Sequence, residues 1–509
     1  MMPAVPVRIA INMSDSSPPR ELEVAIVGAG FGGLGMGMKL LEAGIREFVI
    51  LEKDHEVGGT WRDNTYPGAA CDVQSHFYSY SFDGKPDWSR RYAGWEEIQR
   101  YILDTTARHG LRSHVRFGEA VNSARFDEAS GRWDISTRTG ARLTARHLVL
   151  ATGPLHVPQI PAIPGLESFK GKVFHSARWD HGYDLDGKRV ASIGTGGSAI
   201  QYCPEIAPRV SQLHVFQRTP AWVIPRDRRA YSERQKRRYE KFPWLRRLHR
   251  WRLYWTNESR LLGLLHPALV SVPRALALKM LRRQVRDPAL VAALTPDYTF
   301  GCKRVLISNT WYPMFNRPNV ELVTGGIREV RDDCIFTDDG AARPVDCIIL
   351  GTGFVVDPRV YMKDFVITGL PGHTLSNDWR DGAQAYYGVH VTGYPNLHQL
   401  VGPNTGLGHN SVIFMIEAQV HYVLESIRAV RGRGAACLNV RPQVQASFNE
   451  RVQQAFRGTV WSTGCTSWYR QADGRNFSLW PWATWRYWLR TRRVDAASYE
   501  FLGLDQRAA

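Results

Sequence analysis

The chain has 509 residues, 44% of them apolar, with 65 Lys and Arg against 48 Asp and Glu, a formal charge of +17. That length and apolar content exclude a disordered chain and allow a large core in two or three domains. Seven cysteines, an odd number with no CxxC pair, argue against a dithiol redox centre and point to a reducing compartment, the cytoplasm.

Residues 1–20 are a polar lead bearing Pro and Ser, with no apolar core of signal-peptide length. Disorder is expected there, and Met13 is an alternative start. Residues 22–27 (LEVAIV) read as a buried parallel strand running into Gly28, Gly30, Gly32 and Gly33 of a GAGFGG turn. A helix follows over 34–41, and a strand over 48–51 ends at Glu52, 19 residues after Gly33. Glycines at those positions let backbone approach a pyrophosphate at a helix N-terminus, and the acid meets a ribose hydroxyl. The alternative is a glycine turn without a ligand.

Downstream lie GGTW, with Thr60 and Trp61, and then Tyr66-Pro67-Gly68, a turn by composition. Asp72 sits among small and aromatic residues with Tyr78 close by; its plain reading is a capping aspartate. An amphipathic helix is expected over 95–109 and strands over 125–150, with Val121 just upstream of them. Residues 154–164 (PLHVPQIPAIP) make a proline-rich linker. Phe169, Gly171, His175 and Trp179 then stand in FKGKVFHSARWD, where simple packing of an interdomain linker is one reading.

A second unit repeats the first. Strand 189–193 runs into Gly194, Thr195, Gly196, Gly197, Ser198 and Ala199; a helix follows, and strand 213–216 ends at Gln217-Arg218-Thr219. This strand ends in an arginine where the first ends in an acid. A guanidinium binds a 2′-phosphate that a carboxylate would repel, so the two sites read as FAD and then NADPH.

The stretch from Arg226 to Arg260 holds 13 Lys and Arg against 4 Asp and Glu. Trp244, Leu245, Leu248, Trp251 and Trp255 fall near helical spacing, so an amphipathic basic helix is expected. Weak contact with an anionic membrane surface is one reading; a helical insert over the substrate site with a solvated basic face is the plainer one. Nucleic acid is disfavoured, since no reading motif accompanies the charge. Residues 261–273 are uncharged apart from a histidine but too short to span a bilayer. Lys303 and Arg304 follow a glycine and precede an apolar strand, and residues 348–354 (IILGTGF) form another strand and turn. GPNTGLGHNS precedes a helix starting at Val412, and residues 461–488 hold 6 of the 17 tryptophans.

Taken together, these motifs resemble the class B flavoprotein monooxygenases, and within them the type I Baeyer–Villiger monooxygenases. Their fingerprint, Phe-x-Gly-x-x-x-His-x-x-x-Trp followed by Pro or Asp, is matched by Phe169, Gly171, His175, Trp179 and Asp180. GGTW, YPG, Cys71-Asp72, ATG at 151–153 and GTGF at 351–354 also match, and the likeness runs from about residue 21 to 493.

The resemblance implies an α/β fold of two Rossmann-type dinucleotide-binding domains plus a helical insert. The expected boundaries are 21–153 and 351–509 for FAD, 154–225 and 301–350 for NADPH, and 226–300 for the insert. It implies oxygen insertion next to a ketone carbonyl through a C4a-peroxyflavin, giving an ester or lactone, with N- or S-oxygenation as the alternative. Arg304 is then the catalytic cation, held by Asp72 in a bidentate pair. Tyr78 becomes a flavin contact and Val121 a contact on the adenine side, Lys303 a contact to the NADPH phosphate, and Thr219 a neighbour of Arg218 there. Phe169, Gly171, His175 and Trp179 become a hinge rather than proton carriers, and Trp468 closes over NADP and substrate. The aromatic-rich insert leans towards a linear aliphatic or aryl ketone; the sequence leaves the oligomeric state open.

Overall fold

A computed structural model describes residues 20–471 and 473–503; the polar lead at 1–19 lies outside the described residues. In chain order the first layer comprises β1 (Arg20–Val27), α1 (Phe31–Glu42), β2 (Phe48–Leu51), α2 (Trp95–Arg108), β3 (Val115–Arg116), β4 (Val121–Asp127), β5 (Arg132–Thr137) and β6 (Arg142–Leu150). The second comprises β7 (Lys172–His175), β8 (Arg189–Ile193), α3 (Ala199–Ile206) and β9 (Gln212–Phe216). Then come the insert helices α4 (Glu233–Lys241), α5 (Pro243–Glu258), α6 (Leu261–Leu265) and α7 (Ser271–Gln284), followed by β10 (Val320–Val323) and β11 (Cys347–Leu350). Later in the chain come β12 (Val366–Thr368), β13 (Leu397–Gln399), α8 (Val412–Gly432) and α9 (Thr484–Arg490), among other elements.

Two sheets organise the molecule. The first has eight strands in the order β12-β4-β5-β6-β1-β2-β3, with β13 beside β6. Its centre is parallel: Val27 stands level with Leu51 on one side and Leu150 on the other. The second is wholly parallel, β10-β9-β8-β11-β7, with Ile193 level with both Phe216 and Leu350. The apolar runs in these central strands are buried because helices and loops cover both faces; Val24, Ala25 and Ile26 are fully buried, as are Val190 and Ala191. Strands from before and after residues 154–350 share the first sheet, so the chain leaves it, builds the second and returns.

The stretch from Arg226 to Arg260 differs from the single helix expected. It forms two, α4 and α5, which break at Phe242-Pro243, because proline disfavours helical backbone in the residue before it and suits the first turn of a helix. Trp244, Leu248, Trp251 and Trp255 face solvent instead of the protein. No single helix among the described residues is long and apolar enough to cross a membrane.

The cysteines also depart from expectation: Cys302 and Cys465 form a disulfide, and the other five cysteines are in no disulfide. The partners are 163 residues apart, and no local spacing in the sequence signals the pair.

Candidate active site

The two glycine turns are built alike. Gly28 has φ +103°, and a Cβ there would lie 2.6 Å from the carbonyl oxygen of Ala151, at the end of β6. Gly194 has φ +108°, and its Cβ would strike the carbonyl of Gly351, at the end of β11. Each turn therefore needs a residue that tolerates positive φ and close backbone contact. Beyond each turn the chain opens: nothing lies within 4 Å of a Cβ built on Gly30, Gly196 or Gly197. Gly32 and Gly33 face inward, against Ala151 and Gly28. The N-termini of α1 and α3 follow these turns directly, so both offer backbone N–H groups to an anion.

Glu52 is buried at the end of β2. Its Oε2 accepts from Ala29 N at 2.8 Å, and its Oε1 accepts from Asp54 N and Arg62 Nη1 at 3.1 Å each. Its carboxylate is thus fixed beside the first turn. Trp61, in the short helix Thr60–Asp63, donates its indole N–H to Tyr78 Oη at 3.2 Å. Thr60, Trp61, Tyr78 and Val121 all line the same cavity.

The end of β9 supplies the second site. Thr195 donates its hydroxyl to the Thr219 carbonyl at 3.1 Å. Lys303 lies over the ring of Tyr298, and burial together with the nearby Arg218 guanidinium holds its ammonium below the ordinary value. Two cations converging at a strand end that carries no acid suit a 2′-phosphate, while the buried Glu52 suits free ribose hydroxyls. The residues present therefore fit NADPH at the second turn and FAD at the first.

Arg304 lines the same cavity as both turns. Its Nε and Nη2 both donate to Oδ2 of Asp72, at 2.8 and 2.6 Å, and Nη1 points to the carbonyl of Leu407 at 3.5 Å. The expected bidentate pairing is thus replaced by two guanidinium nitrogens on one carboxylate oxygen. The Asp72 charge raises the guanidinium further above its ordinary value, so Arg304 is a fixed cation at any working pH. Each side chain keeps about a third of its surface open, to the cavity. The helix α8 starts nearby at Val412, capped by Ser411, whose hydroxyl accepts from Ile413 N at 3.3 Å.

The fingerprint residues lie away from this cation. Phe169 is buried, and a Cβ on Gly171 would come 2.5 Å from both the Asp346 carbonyl and the Phe169 ring, so the turn admits only glycine. His175 ends β7 level with Leu350 and packs edge-on to Phe354. Its Nδ1 accepts from Ala177 N at 3.1 Å, and burial pushes it down to about 4, so it is neutral. Trp179 packs between Phe174 and Tyr202, the latter on α3, and Asp180 pairs with Lys172. Trp468 is 48% exposed, lies against Tyr469 and lines the cavity. The Cys302–Cys465 bond ties its segment to the one carrying Lys303 and Arg304.

Two positions with no sequence signal also shape the site. Gln201 on α3 accepts from Tyr66 Oη and Ala70 N and donates to Ala70 O, at 3.0–3.2 Å, so it ties the second unit to the loop that carries Asp72. Glu258, buried at the end of α5, accepts from Asn410 Nδ2 at 2.5 Å and from Thr484 N at 2.6 Å, which fastens the insert to the loop before α8. Either would pass for an ordinary helix residue.

Both turns, Asp72, Arg304 and Trp468 line one cavity of about 1760 Å³, bounded at the carboxyl ends of both sheets by Val27, Leu51, Ala151, Ile193, Phe216 and Gly351. That is well above the roughly 300–1,000 Å³ of an ordinary small-molecule site, and ligands of open parallel sheets bind at such strand ends.

Residues 21–233 match the family described as flavin-binding monooxygenase-like. A Baeyer–Villiger monooxygenase of Streptomyces coelicolor is 46% identical, over 95% of this chain and 93% of that protein. Among solved structures, an oxidized steroid monooxygenase bound to NADP superposes with a TM-score of 0.85 at 32% identity, over 95% of this chain and all of the other. The OTEMO complex with FAD and NADP gives 0.86 at 27% identity, with the same coverage. The chain belongs to the flavin-binding monooxygenase-like family and, within it, to the FAD- and NADPH-dependent Baeyer–Villiger monooxygenases.

Proposed function

We propose that this chain places one oxygen atom of O2 beside the carbonyl of a ketone, giving an ester or lactone. The observation that carries this reading is the Arg304 cation, fixed by Asp72 in the one cavity that both dinucleotide turns line. FAD supplies the oxygen-activating chemistry when bound, and NADPH the hydride.

Gly28, Gly30 and the N-terminus of α1 would hold the FAD pyrophosphate, and Glu52 would accept from its ribose. Thr60, Trp61 and Tyr78 would wall the flavin side, and Val121 the adenine side. Thr195 to Ala199 would cradle the NADPH phosphates, with Arg218, Thr219 and Lys303 on the 2′-phosphate. Arg304 would stabilise negative charge that develops as oxygen attacks the carbonyl; it is aimed before reaction, so it need not reorganise. The positive end of α8 at Val412 would add to that field. His175 is neutral and its Nδ1 is engaged, so with Phe169, Gly171 and Trp179 it would act as a hinge between the sheets. Trp468 would fold over the nicotinamide end. In this reading 21–153 and 351–509 form the FAD unit, 154–225 and 301–350 the NADPH unit, and 226–300 the roof.

The test is turnover of the FAD-loaded protein with NADPH on linear aliphatic, cyclic and aryl ketones, beside a sulfide and a tertiary amine, with products identified by mass. Esters or lactones are expected, with the highest kcat/KM on a linear or aryl ketone. Oxidation of the sulfide or amine alone would overturn the ketone assignment while leaving both dinucleotide sites standing.

A further inference from the structure

The helical insert turns its tryptophans outward. Trp244, Leu248, Trp251 and Trp255 recur at intervals of four, three and four, one stripe down α5, and are 61%, 53%, 60% and 43% exposed. The opposite face of the same helix is anchored: Leu253 and Asn257 are buried, and Arg250 donates to the carbonyls of His76, Phe77 and Ser79. The stripe is therefore an apolar face that the anchored side of the helix holds towards solvent.

It continues along the chain. Leu262, Leu269, Val272 and Leu276 are each more than half exposed. Of the 18 large apolar side chains exposed among the described residues, nine fall within 242–276. Helix α9, joined to α5 through Tyr254 and Thr484 at 3.1 Å, adds Trp485, Trp488 and Leu489. Scattered single exposures need no explanation, but a concentration of this kind marks a surface that is covered in use.

We infer that this face docks on an anionic lipid bilayer. Charge selects the occupant. The stretch from Arg226 to Arg260 carries 13 Lys and Arg against 4 Asp and Glu. Arg237, Lys241, Arg247 and Arg252 are exposed and make no ion pair among the described residues. A second copy seated by two-fold symmetry would set this basic belt against itself. Indole rings with cationic rims favour the headgroup layer, where helices of this kind lie flat. The two halves, Pro243–Leu265 and Pro267–Gln284, meet at 115° and so do not form one straight span.

The inner side of the same insert reaches the site. Leu264 packs against Gly301, just before Lys303 and Arg304, and against Gly408. Docking would set the roof of the cavity at the lipid surface. The inference goes beyond the proposed reaction and does not depend on it.

The test is co-sedimentation of the FAD-loaded enzyme with vesicles of phosphatidylcholine alone and of an equimolar mixture with phosphatidylglycerol. Binding to the mixed vesicles is expected to be at least about tenfold tighter and to fall away in high salt, with a blue shift of tryptophan emission. The triple variant Trp244→Ser, Trp251→Ser, Trp255→Ser should keep its FAD and its NADPH oxidation and lose about tenfold or more in vesicle binding. The variant Arg237→Glu, Arg247→Glu, Arg252→Glu should lose the preference for anionic lipid, so the idea does not hang on one variant folding. Absence of binding to either vesicle would overturn it. So would a dimer in light scattering that the tryptophan variant splits into monomers, because a second copy would then be the occupant.

Discussion

Replacing Asp72 by asparagine leaves the Arg304 guanidinium in place and removes the charge that aims it. Two nitrogens of Arg304 converge on one oxygen of Asp72 at 2.8 and 2.6 Å. Hydrogen bonds to charged groups contribute about 1.5–3 kcal/mol, and a pair open by a third to the cavity keeps the lower part of that range. A loss of about 1–2 kcal/mol in transition-state binding is a fall of about 5–30-fold in kcat/KM. Arg304→Ala removes the cation itself, and a fixed group facing developing negative charge is worth about 100–1,000-fold in kcat. The assay is ketone oxygenation measured beside NADPH oxidation in FAD-replete protein. Both variants should still oxidise NADPH, and the share that ends in ester should fall, further for R304A than for D72N. An R304A variant that oxygenates ketone as fast as the parent would refute the reasoning, and so would D72N losing more than R304A.

Arg218→Ala should raise KM for NADPH by about tenfold or more and leave KM for NADH nearly unchanged, since one charge-assisted phosphate contact is lost; an equal rise for both cofactors would place Arg218 elsewhere. Unfolded but unreduced protein should titrate five of its seven thiols, the other two being Cys302 and Cys465. Reduction should lower stability by about 2–4 kcal/mol, the usual range for a bond closing a long loop; seven titratable thiols before reduction would remove the bond from the account. Burial pushes His175 down to about 4, and His76 and His398 to about 3, from an ordinary 6.5. The unfolded chain then binds more protons between those values, so stability present above pH 6.5 is lost as pH falls through about 4. Urea midpoints should drop steadily over that window and the drop should shrink in His175→Gln; a flat profile would contradict the buried neutral rings.

Elements with local signatures were readable from the chain. The two glycine turns and the strands that feed them carry their chemistry within a few residues of one another, so strand, turn, helix and terminal acid or arginine can be recognised in order. Arg304 and Asp72 are 232 residues apart and could be joined only through the family likeness, which also suggested a bidentate geometry where the structure has two nitrogens on one oxygen. The disulfide, the Gln201 bridge and the Glu258 latch were invisible for the same reason: each is a contact between distant segments made by a residue type that is ordinary where it stands. Helical spacing placed Trp244 to Trp255 on one face, but periodicity cannot say whether that face meets protein or solvent. Only the packing of Leu253, Asn257 and Arg250 decides it.

The most direct test of the central claim is the fate of isotopically labelled O2. FAD-loaded enzyme, NADPH and a ketone that it turns over are incubated under 18O2, and the ester is analysed by mass. The account predicts one labelled oxygen, in the new carbon–oxygen bond beside the carbonyl, with the carbonyl oxygen unlabelled. An unlabelled ester, or one with the label in its carbonyl oxygen, would contradict it.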